Sequence, residues 1–198
     1  MKTSNIELMQ SARNSLNGKW GIAIGTFLVY ELVIGGIGQS SEHYPLSSII
    51  LLFIAGPLAV GISVFSLNLA RNKEARFEQI FEGFYNFKTS IIAYLLVVLF
   101  TFLWMLLLII PGIIAAISYS MTFYIIAEDD SIEPMEAIDK SKSMMYGYKS
   151  KYFFLGLRLF GLALLCILTL GIGFLWLIPY AHVTTAKFYE DIKGNNYN

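Results

Sequence analysis

Apolar and polar positions alternate along this chain in long blocks. Six blocks are apolar, at 20–38, 46–70, 89–110, 113–127, 152–170 and 174–188, and polar stretches or Gly/Pro breaks separate them. A block of 19 residues makes roughly 28 Å of helix at 1.5 Å per residue, close to a hydrocarbon core of about 30 Å. The pattern predicts an all-α polytopic membrane protein, one integral domain over 1–198 with six transmembrane helices. Pro57 inside the second block predicts a kink. Pro111-Gly112 and Gly171-Ile172-Gly173 predict the turns of two hairpins.

The polar stretches carry their own period. Ile6, Met9, Ala12 and Leu16 fall at helical spacing. So do Phe77, Ile80, Phe81, Phe84 and Tyr85, and so do Met135, Ile138, Ser141 and Met145. Each set predicts an amphipathic helix at the membrane interface. One such helix precedes each pair of apolar blocks. Sliding the chain by 61 positions sets Gly112 on Gly173, Tyr119 on Tyr180 and Asp130 on Asp191. The economical description is three pseudo-repeats of amphipathic helix plus hairpin. The first copy matches the other two only by residue type and needs an insertion before Gly56-Pro57.

Composition and charge sharpen this picture. The chain is 56% hydrophobic and 14% charged, with a mean hydropathy of +0.62, which is outside the range of soluble domains. Residues 1–19 are polar, so no cleavable signal peptide is expected. Of the 14 Lys and Arg, none lies in the turns after the first, third and fifth blocks. The positive-inside rule then puts both termini in the cytoplasm, of a bacterial cell membrane. Arg158 sits about two turns into the fifth block, near enough to that side to snorkel.

The segments PGIIAAISYSMTFYIIAED, EAIDKSKSMMYGYK and TLGIGFLWLIPYAHVTTAKFYEDI resemble the bacterial integral membrane proteins grouped as domain of unknown function 975. Pro111-Gly112, Glu136-Ala137, Gly147, Pro179-Tyr180 and Phe188-Tyr189 carry the likeness, with a looser GPLAVG at 56–61. Where the family pattern implies a tryptophan, this chain has Phe160-Gly161-Leu162 preceded by Arg158. The resemblance implies architecture and transfers no catalytic residue.

Motifs for chemistry are sparse. No nucleophile elbow, zinc-protease or phosphate-loop signature occurs, and the imidazoles are His43 and His182. No catalytic residue, cofactor or metal is assigned. The acids Glu128, Asp129, Asp130, Glu133 and Glu136 read as helix capping, with Asp130 and Glu133 as a capping box, rather than as a cation site. Cys166 is a filler in an apolar run. Glu31, deep in the first block, would cost about 2.5–3.5 kcal/mol on insertion scales and calls for a partner. His182 is the one named, with Tyr119 and Tyr180 at similar depth as further members of a candidate intramembrane polar site. Tyr85, Lys88, Tyr146, Lys149 and Arg158 are candidate headgroup contacts.

Three functions follow as expectations. The first is a non-enzymatic membrane protein that handles or senses lipid or envelope components, or scaffolds a membrane partner. The second is a small transporter or channel using Glu31 and His182, and the third a lipid-modifying enzyme using the carboxylates after Ala127. The expected partners are membrane lipids, another membrane protein or a second copy of the chain, and not nucleic acid.

Overall fold

The computed structural model describes residues 3–40 and 45–196. Nine α-helices and one 3₁₀ helix make up these residues: α1 (Asn5–Leu16), α2 (Trp20–Ser40), α3 (Pro45–Ala70), the 3₁₀ helix (Phe77–Phe84), α4 (Phe87–Leu107), α5 (Ile109–Tyr119), α6 (Thr122–Glu128), α7 (Pro134–Met144), α8 (Lys149–Leu168) and α9 (Phe174–Asn196). Five stretches are long and apolar enough to cross a membrane: Trp20–Ile37, Ile50–Ala70, Phe87–Leu107, Ile109–Glu128 and Lys149–Leu168. The second half of α9 carries Lys187, Glu190, Asp191 and Lys193, and this helix is not among the five.

Helix α3 is the hub, packed against α1, α2, α4, α6, α9 and the 3₁₀ helix. The helices that open the hairpins, α2, α4 and α8, are peripheral, with 17%, 11% and 6% of their spanning windows buried, against 56% for α3 and 50% for Ile109–Glu128. The main core, with Phe27, Phe65, Leu69, Met121, Ile125, Phe188 and Tyr189, lies between α1, the inner face of α2 and the return helices α3, α6 and α9.

Ser4 starts α1 with a capping box: its hydroxyl accepts from Glu7 N–H at 3.2 Å, and the Glu7 carboxylate accepts from Ser4 N–H at 2.8 Å. The buried stripe of α1 is Leu8, Ala12, Ser15 and Leu16, not the expected Ile6, Met9, Ala12 and Leu16. Ile6 is exposed, because α1 is rotated to pack against α9 and α3.

Three glycines set the central crossing. A Cβ on Gly61 would lie 1.9 Å from Ile80 O, one on Gly83 2.0 Å from Pro57 O, and one on Gly56 2.5 Å from Ser90 O. Only a residue without a side chain lets these backbones approach so closely. The same approach shapes the segment after α3. The apolar period of 77–85 predicts an α-helix with one buried face, whereas the chain winds as a 3₁₀ helix that buries Gln79, Ile80 and Gly83 and leaves Phe81 and Tyr85 exposed.

The second hairpin turns at Leu108, which is extended at φ −160° and ψ 144°, three residues before the predicted Pro111-Gly112. Pro111 instead sits in the first turn of α5, where its missing N–H costs nothing. Gly112 gives room to Met105, whose Cγ would lie 2.3 Å from an added Cβ. The fourth apolar block is two helices, interrupted at Ser120-Met121. Ser118 and Ser120 donate back to Ile114 O and Ile117 O, a local alternative that weakens the helical ladder. Ser141 of α7 closes the break. Its hydroxyl donates to Ser118 O at 2.7 Å and accepts from Met121 N–H at 3.2 Å. The third hairpin turns at Leu170 and Gly171, both with positive φ, as the glycine signal predicts.

The capping expected before α7 takes a different form. Glu133 is the N-cap without a side-chain bond, and Pro134 opens the helix. Asp129 is used instead, accepting from the N–H and hydroxyl of Ser131.

Candidate functional site

Chemistry gathers in three places. The first is a cavity of about 280 Å³ among α2, α3, α6, α8 and α9. Ser63, Ser120 and Thr185 reach it from the return helices, and Tyr30, Tyr124 and Tyr152 add phenols. His182 completes the lining, with its ring packed on Phe27 at 4.7 Å between centroids. Tyr124 donates to the His182 carbonyl at 3.4 Å, and Tyr152 lies within reach of the Ser120 and Thr185 hydroxyls. No charged side chain lines the cavity.

The second place is where α3, α6 and α9 end together. Arg71 reaches Glu190 at 2.7 Å and also pairs with Glu128. Glu128 further accepts from the Tyr189 hydroxyl and from Lys193, both at 2.6 Å. Burial alone would lower the pKa of Arg71, but the bonds to Glu190 and Glu128 outweigh it and hold the guanidinium above its ordinary value. Burial, and then the bond to Glu128, raises the Tyr189 phenol, so it stays a donor. Close by, Lys151 pairs with Asp191 at 2.6 Å, Thr3 donates to Asp191, and Asn5 donates to Lys151 O at 3.0 Å. The two described ends of the chain therefore meet.

The third place is a furrow along α8, bounded by α1 and, in its second section, also by α9 and Trp20 at the start of α2. One section, about 590 Å³, is lined by Thr3, Ser4, Asn5, Lys151, Phe154, Leu157 and Arg158. The next, about 600 Å³, is lined mainly by apolar groups, among them Trp20, Leu162, Leu165, Trp176 and Leu177, with Arg13 and Tyr180. Positions 154, 158, 162 and 165 share one face of α8 by helical spacing, so the sections follow one another along it. Neither Arg13 nor Arg158 has an ion pair among the described residues, and both are exposed.

The residues singled out from the sequence are distributed over these places. His182 lines the cavity, but Glu31 is on the exposed side of α2, and no hydrogen bond or ion pair joins the two among the described residues. Tyr30, one position before Glu31, is the α2 side chain that enters the cavity, and nothing in its local sequence separates it from the other tyrosines. Tyr119 is buried against Phe100 with Lys142 5.8 Å from its ring, and Tyr180 lines the furrow and donates to Met9 O at 3.1 Å. Tyr85 and Tyr146 are 89% and 84% exposed. Lys88 is exposed, and Lys149 lines an apolar groove with Ile113, Ile117 and Phe153. Of the acids at 128–136, Glu128 is spent on the ion network. Among the described residues no group of three or more His, Cys, Asp or Glu is placed to hold a metal ion. His43 lies outside the described residues.

Helix length and apolar composition define the class as helical proteins built for a membrane. Within it, the family described as protein of unknown function (DUF975) matches residues 1–118 and again 105–196, which together cover nearly all of the sequence. The chain belongs to that family. A search of curated proteins and a search of solved structures each returned no match.

Proposed function

We propose that this protein crosses the cytoplasmic membrane six times and holds an anionic membrane lipid in the furrow between α1, α8 and α9, without acting on it as an enzyme. The observation that carries this reading is the pairing of a long apolar furrow with two arginines that have no protein counter-charge. An acyl chain fits the stretch by Leu162, Leu165 and Trp176, and a phosphate suits Arg13 and Arg158, which bind it as a bidentate fork. The positive-inside pattern puts both arginines toward the cytoplasmic face, where anionic headgroups concentrate. Tyr85, Lys88, Tyr146 and Lys149 flank the same face as general headgroup contacts.

Repetition of one hairpin unit is supported by the spacing of the cavity lining. Ala59, Ser120 and Ala181 are 61 positions apart, and so are Ser63, Tyr124 and Thr185. On this reading α9 is the sixth span, shortened by the charged residues of its second half, and its partners α3 and α6 shield it. A transporter built on Glu31 and His182 is disfavoured, because Glu31 is on an exposed side of α2 while the imidazole opens on a cavity of hydroxyls.

Lipid extraction and quantification from protein purified in mild detergent tests the proposal. Each phosphate contact is worth about 1 kcal/mol near the surface, so the Arg13→Ala, Arg158→Ala double variant, losing about 2 kcal/mol, should retain anionic lipid about thirtyfold less than the parent while melting at a similar temperature. Equal retention by the double variant contradicts the furrow as the seat.

A further inference from the structure

The cavity among α2, α3, α6, α8 and α9 is separate from the furrow and independent of the lipid reading. Two polar groups open on it without a protein partner. Among the described residues, neither the Tyr30 hydroxyl nor a ring nitrogen of His182 makes a hydrogen bond. Phe27 backs the imidazole at 4.7 Å, which fixes the ring against α2. The neighbouring hydroxyls are occupied: Ser63 with Ala59 O, Ser120 with Ile117 O, and Thr185 with Ala181 O.

Inside a membrane an unsatisfied polar group costs several kcal/mol, since hydrocarbon offers no replacement for water. The space beside these two groups is about 280 Å³, against about 30 Å³ for the share of one water in the liquid. It is therefore large enough for a solute of several non-hydrogen atoms. The lining holds no carboxylate, ammonium or guanidinium, so a charged solute would shed its hydration and find no counter-charge. An apolar solute would leave the imidazole and phenol unpaired.

We propose that this cavity binds a small uncharged solute bearing hydroxyl or amide groups, with His182 and Tyr30 as its hydrogen-bond partners. The interruption at Ser120-Met121 lies in its wall, and irregular backbone at membrane depth is tolerated where it lines such a space.

The histidines number two, so His43→Gln leaves His182 as a single imidazole reporter. Full-length ¹⁵N-histidine protein in nanodiscs is titrated with glycerol and with urea, and with acetate and ethylammonium as charged counterparts. The ring nitrogen resonances should shift saturably with at least one neutral probe and with neither ion. Tyr30→Phe should weaken that binding about five- to tenfold, the effect of one lost hydrogen bond. If His43→Gln does not fold, the parent is titrated and the His182 signals are assigned by their loss in His182→Phe. Absent or linear shifts with both neutral probes mean a cavity holding water alone and overturn the proposal. Equal shifts with the ions, or unchanged saturation in Tyr30→Phe, overturn it too.

Discussion

Single atoms decide the central crossing. Alanine at Gly61 or Gly83 would force a Cβ into a backbone oxygen at 1.9 or 2.0 Å, and neither carbonyl is a flexible group that can swing away. Overpacking of this kind costs about 1–3 kcal/mol, so Gly61→Ala and Gly83→Ala should lower the melting temperature in detergent by several degrees, whereas Gly25→Ala, with nothing within 4 Å of an added Cβ, should leave it unchanged or slightly raised. Equal melting of all three would refute the close-approach account. The sequence marks Gly56 and Gly61 through GPLAVG but cannot say what they touch, because Ser90 and Ile80 lie in other elements. It flags His182 and Glu31 by depth, and depth carries no information on which way a side chain faces. Tyr30 was missed for the same reason: the polar residue that enters the cavity is the ordinary neighbour of the anomalous one.

Between elements, stability depends on side chains that complete another helix's backbone. Ser141 satisfies both Met121 N–H and Ser118 O while fully buried, so Ser141→Ala should cost about 2 kcal/mol and speed amide exchange at Met121 well above that of Ile125. Ser141→Thr keeps the hydroxyl and should recover protection at Met121, although its extra methyl strains the fit. At the ends of α3, α6 and α9, Arg71 and Glu128 share one network, and a double-mutant cycle of Arg71→Ala with Glu128→Ala should give a coupling of about 1–2 kcal/mol. Additive losses would show the pair to be incidental. Hairpins, their order and the turn at Gly171 were legible, since long apolar runs and positive-φ glycine leave strong marks. The turn at Leu108 was not, because LLLIIPGII holds no polar breaker and packing of Gly112 on Met105 selects the position. The 3₁₀ winding of 77–84 was likewise hidden, being imposed by the contact of Gly83 with Pro57.

At the scale of the whole molecule, the lipid seat and the placement of Arg13 and Arg158 both require six crossings with the chain ends on one side. The meeting of Thr3 and Lys151 with Asp191 puts the two ends together. The proposal that this face is the cytoplasmic one rests on the distribution of the basic residues. What length and hydropathy leave open is α9, whose second half is charged and which packs against α1, α2, α3 and α8. Single cysteines at positions 42, 133 and 194, introduced after Cys166→Ser, can be probed in intact cells with a membrane-impermeant maleimide. With six crossings and both ends inside, position 42 alone reacts until the membrane is permeabilised, when 133 and 194 react as well. Labelling at 194 from outside would remove the sixth crossing and contradict this arrangement.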